Sequence, residues 1–459
     1  LAVHDRIIVK SRLNRRFFVP NLSPNIIKRH SIGKKVKGLL LTVQKLIING
    51  GKRLRGELSL QGAKNAVLPI LAAAALCDGE VTLKNCPRLS DTYAAMRILN
   101  SLGRKTTFEA NTITVDGAGI SETQISESLM REMRSSVIFL GAVLGKTGNC
   151  KISLPGGCDI GARPIDMHIS ALKKMGAVVT ESGAGLSCES AGRLKGAEIS
   201  LFFPSVGATE NIILAAVLSE GVTVIHNAAR EPEITDLIYF LRKCGAQIEG
   251  AQTGSLVING VERLHGCEYE IMPDRIVCAT YMACAAAAGG DIVIRNCRPA
   301  HLTAVTPVFE QMGCAVHSLK NTIYFSSGKR LNAIDIVRTM VYPGFPTDAQ
   351  AFVMAALCKA DGASVFVENI FENRYRHVGG LRRMGADIQV EGKVAVVKGT
   401  PRLFGANCSA PDLRGGAGLV AAALGAEGRS EISSVRYIDR GYEAIEATLS
   451  SLGADIVRV

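Results

Sequence analysis

The 459 residues are 47% hydrophobic yet only 5% aromatic, with no tryptophan, so the chain has the length for two or more domains whose cores are filled by small aliphatic side chains. Thirteen cysteines, an odd number scattered through apolar runs with no secretory signal or framework spacing, argue against a disulfide scaffold and for reduced cytosolic thiols. The net charge of +12 is concentrated at one end: residues 1–44 hold ten Lys/Arg and one acid, Asp5, so this leader carries +9 and the other 415 residues carry 12 − 9 = +3.

A body so nearly balanced does not have the charge of a nucleic-acid backbone binder. Apolar stretches are interrupted by glycine after about a dozen residues, too short for a transmembrane helix. The leader lacks periodicity and an apolar signal core and is expected to be disordered. Its Arg-rich, acid-poor composition fits a transit peptide, a translation start placed too far upstream, or a cloning remnant.

From about residue 46 a repeat governs the chain. A helix end of the form Leu/Met/Cys-Gly recurs at Gly103, Gly176, Gly245, Gly313, Gly385 and Gly453, spaced 73, 69, 68, 72 and 68 residues apart. Each glycine is expected to close an amphipathic helix in the left-handed conformation. Upstream in each unit an alanine-rich helix is predicted, over 66–77, 136–144, 210–218, 276–288, 349–358 and 417–424. A strand follows each, over 81–84, 151–154, 222–226, 291–295, 364–368 and 430–433, and then a turn with an arginine: Arg88, Arg163, Arg230, Arg298, Arg374 or Arg440. Six units of alternating helix and strand make an α/β fold by internal duplication. One unit alone buries too little to be stable, so the units must associate, as two threes or three twos. Equivalent turns in a symmetric assembly tend to meet, so several of these arginines are expected to converge on one cleft.

Charge placement gives a second signal. A helix amino terminus prefers acids, yet Lys64, Arg134, Arg275 and Arg414 stand at or just before helix starts. Either an anion binds there, on the backbone N–H groups, or each side chain reaches water or an adjacent aspartate. Lys64 has no adjacent acid, which favours the anion. Asp348, in Pro346-Thr347-Asp348-Ala349, is either a helix cap or a general base kept ionised by nearby cations. Pro204-Ser205-Val206-Gly207-Ala208-Thr209 is either a phosphate-wrapping turn or a connector with Thr209 as N-cap. In the second unit, Leu154-Pro155-Gly156-Gly157-Cys158-Asp159-Ile160-Gly161-Ala162-Arg163-Pro164 sets one thiol in a glycine-rich turn five residues before an arginine. Such a setting suits a reactive thiolate, and also an ordinary turn with an exposed cysteine. No zinc spacing, P-loop or dinucleotide fingerprint is present.

These stretches, with Met133-Arg134-Ser135-Ser136, Arg163 to His168, Asn227 to Glu233, Phe371-Glu372-Asn373-Arg374, Asp412-Leu413-Arg414 and Ile438 to Glu443, closely resemble the UDP-N-acetylglucosamine 1-carboxyvinyltransferase family of enolpyruvyl transferases, from about Lys45 to Val459. The resemblance implies six subdomains grouped into two three-unit inside-out α/β barrel domains, one of residues 64–272 carrying the cysteine loop as a lid, the other of 45–63 plus 273–459, with the active site between them. It implies transfer of the enolpyruvyl group of phosphoenolpyruvate to the 3-hydroxyl of UDP-N-acetylglucosamine in the cytoplasm. That step begins peptidoglycan precursor synthesis and so serves cell wall biogenesis, cell shape and division. No metal or organic cofactor, nucleic acid or membrane partner is implied.

By motif position, Asp348 is the implied base toward the sugar hydroxyl, and Cys158 the proton donor that also forms a pyruvate adduct. Lys64, Arg163 and Arg440 are implied to hold the phosphate of phosphoenolpyruvate, and Arg374 and Arg414 its carboxylate, with Asn65 alongside. Asn65, Arg134, Arg163, Pro164, Ile165, Asp166, Met167, Ser205, Val206, Gly207, Asp348 and Ile370 are implied to line the nucleotide-sugar site. His168 belongs to the motif without a catalytic role. Phe203 departs from relatives that carry a lysine at its position, and the leader lies outside the family pattern. The shikimate-pathway enolpyruvyl transferases share the fold but lack this cysteine loop. The RNA 3′-phosphate cyclases need a histidine motif absent here, and a non-catalytic paralogue would have little reason to keep Lys64, Cys158, Asp348 and Arg440 together.

Overall fold

The computed structural model describes residues 44–133, 135–153, 165–183, 185–328 and 330–459. All belong to one unit, Val43–Val459. The six repeat glycines all have left-handed backbones, with φ of +96° at Gly103, +93° at Gly176, +102° at Gly245, +86° at Gly313, +92° at Gly385 and +91° at Gly453. A Cβ would strain each of these turns, which is why the period could be read from glycine alone.

The alanine-rich helices are Lys64–Ala74, Ile138–Thr147, Val206–Ala216, Arg275–Ala288, Thr347–Leu357 and Leu413–Leu424. They are buried on nearly every face, as helices apolar all round must be. Small residues let them approach closely: a Cβ on Gly141 would meet Asn211 O at 2.2 Å, and one on Gly418 would meet Ala351 O at 2.8 Å. Several begin earlier than the apolar pattern suggested. The first starts at Lys64, placing that ammonium in the first turn. The third starts at Val206 with Ser205 as N-cap, its side-chain oxygen accepting from Ala208 N at 3.3 Å, so Thr209 lies inside the helix rather than capping it.

Each unit contributes one four-stranded sheet with a constant order. The strand after the inner helix pairs in parallel with an edge strand and antiparallel with the return strand, as in Asn149–Ile152 between Gln124–Ile125 and Gly185–Glu189. Among the first three units the edge strands pass around a ring. Glu268–Glu270, after the third unit, pairs with Val81–Lys84 of the first. The last three close differently, because two strands come from the start of the described chain. Leu54–Ser59 is the edge strand beside Gly290–Arg295, and Leu46–Asn49 lies between Arg429–Ser433 and Asp455–Arg458. The apolar interior correspondingly forms two clusters, one from Ala63 to Met272 and one from Leu46–Leu60 with Ile276–Ile456. Among the described residues no helix is long and apolar enough to cross a membrane.

Candidate active site

The alanine-rich helices Lys64–Ala74 and Arg275–Ala288, one from each cluster, meet at their amino-terminal ends, where Lys64 N donates to Asp274 Oδ2 at 3.1 Å. Leu413–Leu424 is capped by Asp412, whose Oδ1 accepts from Arg414 N at 3.0 Å and Gly415 N at 2.9 Å. The capping aspartate is therefore occupied by backbone, and the Arg414 guanidinium turns elsewhere. Its Nη2 lies 3.2 Å from Asp348 Oδ2, and its Nη1 donates to Tyr442 Oη at 3.2 Å. Tyr442 Oη is 2.8 Å from Thr280 Oγ1. Arg275 is likewise separated from its neighbour: Asp274 caps its helix, while Arg275 Nε pairs with Glu233 Oε1 at 3.0 Å. Pairing with the adjacent aspartate, one of the alternatives for Arg275 and Arg414, is not found: Asp274 Oδ1 and Asp412 Oδ1 accept from helix N–H groups instead.

Asp348 is no cap. The N-cap of Thr347–Leu357 is Pro346, with no side-chain cap bond, and Asp348 projects from the first turn to accept Arg374 Nη2 on Oδ1 at 2.7 Å. Arg374 is fixed further by Thr347 O, which accepts from Nε at 3.3 Å and Nη2 at 3.2 Å. Burial tends to raise the Asp348 pKa, but Arg414, Arg374, Lys64 and Arg275 together outweigh it and hold the carboxylate below its ordinary range. Its side chain is still 27% exposed, while those of Arg374 and Arg414 are each 3% exposed. The result is an ionised carboxylate that solutes can reach, braced by two cations that they reach far less readily.

Lys64 does have an anion, 27 residues further on. Its Nζ lies 2.8 Å from Asp91 Oδ2, and Arg440 grips the same carboxylate with Nε and Nη2, each at 2.9 Å. Burial lowers the Lys64 pKa, Arg440 and Arg414 lower it further, and Asp91 works the other way. Asp91 was missed from sequence. It opens the helix Ser90–Ser101, where an acid reads as ordinary helix-start chemistry.

Of the five turn arginines among the described residues, Arg374 reaches the Asp348 carboxylate and Arg440 the Asp91 carboxylate. Arg88 stacks on Phe108, 5.1 Å from the ring centroid, Arg230 Nη2 donates to Tyr342 O at 3.4 Å, and Arg298 is exposed. The turns share a phase in sequence, but their side chains find different local partners.

On the other side, Ser205, Val206 and Gly207 form the half-buried first turn of their helix. The neighbouring helix Asp166–Lys174 places His168 beside them, and a Cβ on Gly207 would sit 3.5 Å from its Cε1. His168 Nδ1 is 2.8 Å from Asn211 Nδ2, so the neutral ring accepts there, and burial brings its pKa down to about 4 against the opposing effect of Asp166. Ile165 and Met167 are half-buried and Asp166 is exposed. A cleft of about 160 Å³ lies beside Pro204, lined also by Arg230, Glu231, Val341 and Tyr342, and so by residues from both halves of the chain. Ile370 N and Phe371 N donate to Glu368 Oε1 at 2.9 and 3.1 Å, and Thr347 Oγ1 donates to Glu368 Oε2 at 3.0 Å, so the buried Glu368 ties the Ile370 turn to the Asp348 turn. Asn65 is half-buried next to Lys64, and Phe203 is 38% exposed. Arg134, Cys158, Arg163 and Pro164 lie outside the described residues.

The family model described as EPSP synthase (3-phosphoshikimate 1-carboxyvinyltransferase) matches residues 48–449. The chain is 48% identical over 415 residues to UDP-N-acetylglucosamine 1-carboxyvinyltransferase 2 of Caldanaerobacter subterraneus subsp. tengcongensis, covering 90% of this chain and 99% of the relative. It is 46% identical over 418 residues to UDP-N-acetylglucosamine 1-carboxyvinyltransferase of Acinetobacter guillouiae, covering 91% and 100%. Among solved structures, the enolpyruvyl transferase NikO from Streptomyces tendae superimposes with a TM-score of 0.82 at 24% identity, covering 91% of this chain and 99% of that one. EPSP synthase from Acinetobacter baumannii does so with 0.70 at 18% identity, covering 91% and 99%. At those identities the structures speak for the two-domain α/β fold.

Proposed function

Because the chain belongs to the UDP-N-acetylglucosamine 1-carboxyvinyltransferases within the EPSP synthase family, we propose that it transfers the enolpyruvyl group of phosphoenolpyruvate to the 3-hydroxyl of UDP-N-acetylglucosamine and releases phosphate. The observation that carries the proposal is Asp348, a solvent-reachable carboxylate kept ionised between Arg374 and Arg414. It accepts the proton of the sugar hydroxyl as that oxygen bonds to C2 of phosphoenolpyruvate. Cys158 delivers a proton to the methylene carbon. The Cys158 thiolate then takes back a methyl proton, which restores the double bond as the C2–O bond to phosphate breaks, and the departing phosphate carries away the proton held by Asp348.

Two anionic groups on one small substrate account for two sets of cations. Lys64 and Arg440, with Arg163, take the phosphate, and Arg374 and Arg414 take the carboxylate. The turns at Ser205–Gly207, Ile165–Met167 and Ile370, with Asn65, Arg134 and Pro164, receive the nucleotide sugar. The site lies between a domain of residues 64–272 and one of 45–63 with 273–459, and the loop around Cys158 is its lid. The reaction belongs in the cytoplasm, on the path to peptidoglycan, and needs neither nucleic acid nor membrane. Deleting residues 1–44 should accordingly leave turnover unchanged.

The test is phosphate release from phosphoenolpyruvate with UDP-N-acetylglucosamine, set against shikimate 3-phosphate as acceptor. Release only with shikimate 3-phosphate would overturn the assignment. Cys158→Ser should eliminate the pyruvate adduct seen by mass spectrometry, and an adduct that survives would put the reactive thiol elsewhere.

A further inference from the structure

Lys64 and Arg440 belong to opposite apolar clusters, and a carboxylate occupies the point on which both converge. Asp91 is 1% exposed, takes the Arg440 fork on both oxygens at 2.9 Å and accepts Lys64 Nζ at 2.8 Å. Nothing in its own helix uses this side chain, since the N-cap of Ser90–Ser101 is Leu89 and makes no side-chain cap bond. A two-oxygen grip by an arginine fork with an ammonium alongside is how proteins hold carboxylates and phosphates alike. We propose that Asp91 is the internal counter-ion of the phosphate position, filling it while the site is empty and competing with phosphate for Lys64 and Arg440.

This inference rests on the reading above, that these two cations take the phosphate of phosphoenolpyruvate. Lys64 and Arg440 together carry one more charge than the Asp91 carboxylate they share, and a dianionic phosphate draws that surplus and more. To bind it, Lys64, Arg440 or both must turn from Asp91, so every binding event replaces one desolvated ion pair with another. Without Asp91 the two cations would lose the carboxylate they share and hold any phosphate harder, including the product. Asp91 is therefore a positioning residue. It aims both cations at one point and limits how tightly phosphate is retained.

The test is Asp91→Asn in the full chain, titrated calorimetrically with inorganic phosphate at fixed ionic strength. Removing the competing charge should tighten phosphate about tenfold, a gain that general damage to the fold would not produce. The KM for phosphoenolpyruvate should fall, and kcat should fall with it as product phosphate leaves more slowly. Asp91→Glu keeps the charge and should hold phosphate within about twofold of the parent chain. A cooperatively melting Asp91→Asn protein that binds phosphate equally or more weakly overturns the proposal. Should that variant not fold, a phosphate-bound structure of the parent chain decides: at least one of Lys64 and Arg440 should have left Asp91, and retention of both contacts overturns it. Tightened phosphate without enolpyruvyl transfer by the parent chain would sink the proposed reaction but not the counter-ion. Normal transfer with unmoved phosphate affinity would sink the counter-ion alone.

Discussion

Asp348 and Asp91 are each held between two cations, and they differ in where those cations come from. Both partners of Asp348, Arg374 and Arg414, stand on the same apolar cluster as Asp348 itself. Asp91 shares Lys64 with its own cluster but receives Arg440 from the other. The direct ion pairs of Asp348 are thus assembled within one half of the chain, whereas those of Asp91 need both halves in place. Exposure runs the same way, 27% for the Asp348 side chain and 1% for that of Asp91. A charge fixed within one half and open to solutes suits a base. One that is sealed and shared between halves suits a counter-ion.

The largest effect expected from breaking this contrast is at Asp348. Asp348→Ala should lower turnover by about 10²–10⁴-fold, the range for removing a general base, in a steady-state phosphate-release assay. Binding of phosphoenolpyruvate should persist, because Arg374 and Arg414 remain and lose their competitor. Near-normal turnover would reduce Asp348 to a counter-ion like Asp91 and erase the distinction.

A pair that spans the two clusters should instead register in stability. Arg275 and Glu233 are 8% and 3% exposed and lie on opposite clusters, with the Arg275 guanidinium also 5.5 Å from the Tyr342 ring centroid. Glu233→Gln leaves a buried guanidinium without its counter-charge, which should cost about 3–5 kcal/mol in urea unfolding. A loss below about 1 kcal/mol would show that Arg275 finds another anion readily, and that contacts across the clusters are looser than the Asp91 group suggests.

What could be read from sequence divides along the same line. The six glycines were legible because only glycine tolerates the left-handed turn that ends each helix, and the strands because β-branched runs follow each alanine-rich segment. Lys64, Arg275 and Arg414 were visible as charges at the wrong ends of helices, a local conflict that needs no partner to be noticed. Asp91 was invisible, since its link to Arg440 spans 349 residues and its place after Ser90 looks like helix-start chemistry. The shared phase of the turn arginines overstated their convergence, because Arg88 stacks on Phe108 instead. Nothing local to Leu46–Asn49 marks it as a strand of the last sheet, for its partners lie at Arg429–Ser433 and Asp455–Arg458.

Acid should separate the two groups as well. His377 is 1% exposed, and burial, reinforced by Arg374 and opposed by Asp412, brings its pKa down to about 4. In the unfolded chain it titrates near the ordinary value of about 6.5. Between those values the unfolded state binds more protons than the folded one, so this residue makes stability rise with pH and fall on acidification, by roughly 1.4 kcal/mol per pH unit within the window. His377→Gln removes that share, so its stability penalty in urea unfolding should shrink steadily from pH 7 to pH 4.5. A penalty constant across the range would mean that His377 titrates normally. His377 adjoins Arg374 and hence the Asp348 group, whereas the forces on the Asp91 carboxylate come chiefly from its burial, Lys64 and Arg440.

The smallest effect should come from Tyr442, the far brace of the Asp348 group. Its hydroxyl accepts from Arg414 Nη1 at 3.2 Å and meets Thr280 Oγ1 at 2.8 Å, all three groups being buried. Tyr442→Phe keeps the ring, including its stacking 5.7 Å from the Arg414 guanidinium carbon, and removes only the hydroxyl. Arg414 keeps Asp348, so the loss should be about 1–2 kcal/mol of stability, the value of one buried hydrogen bond to a charged group. In kinetics, Arg414 freed on one side should hold the substrate carboxylate less firmly, raising the KM for phosphoenolpyruvate a few-fold while kcat, which depends on Asp348, changes little. A fall in kcat with KM unmoved would mean that Tyr442 positions the base rather than the carboxylate cations, and that Asp348 depends on its surroundings as much as Asp91 does.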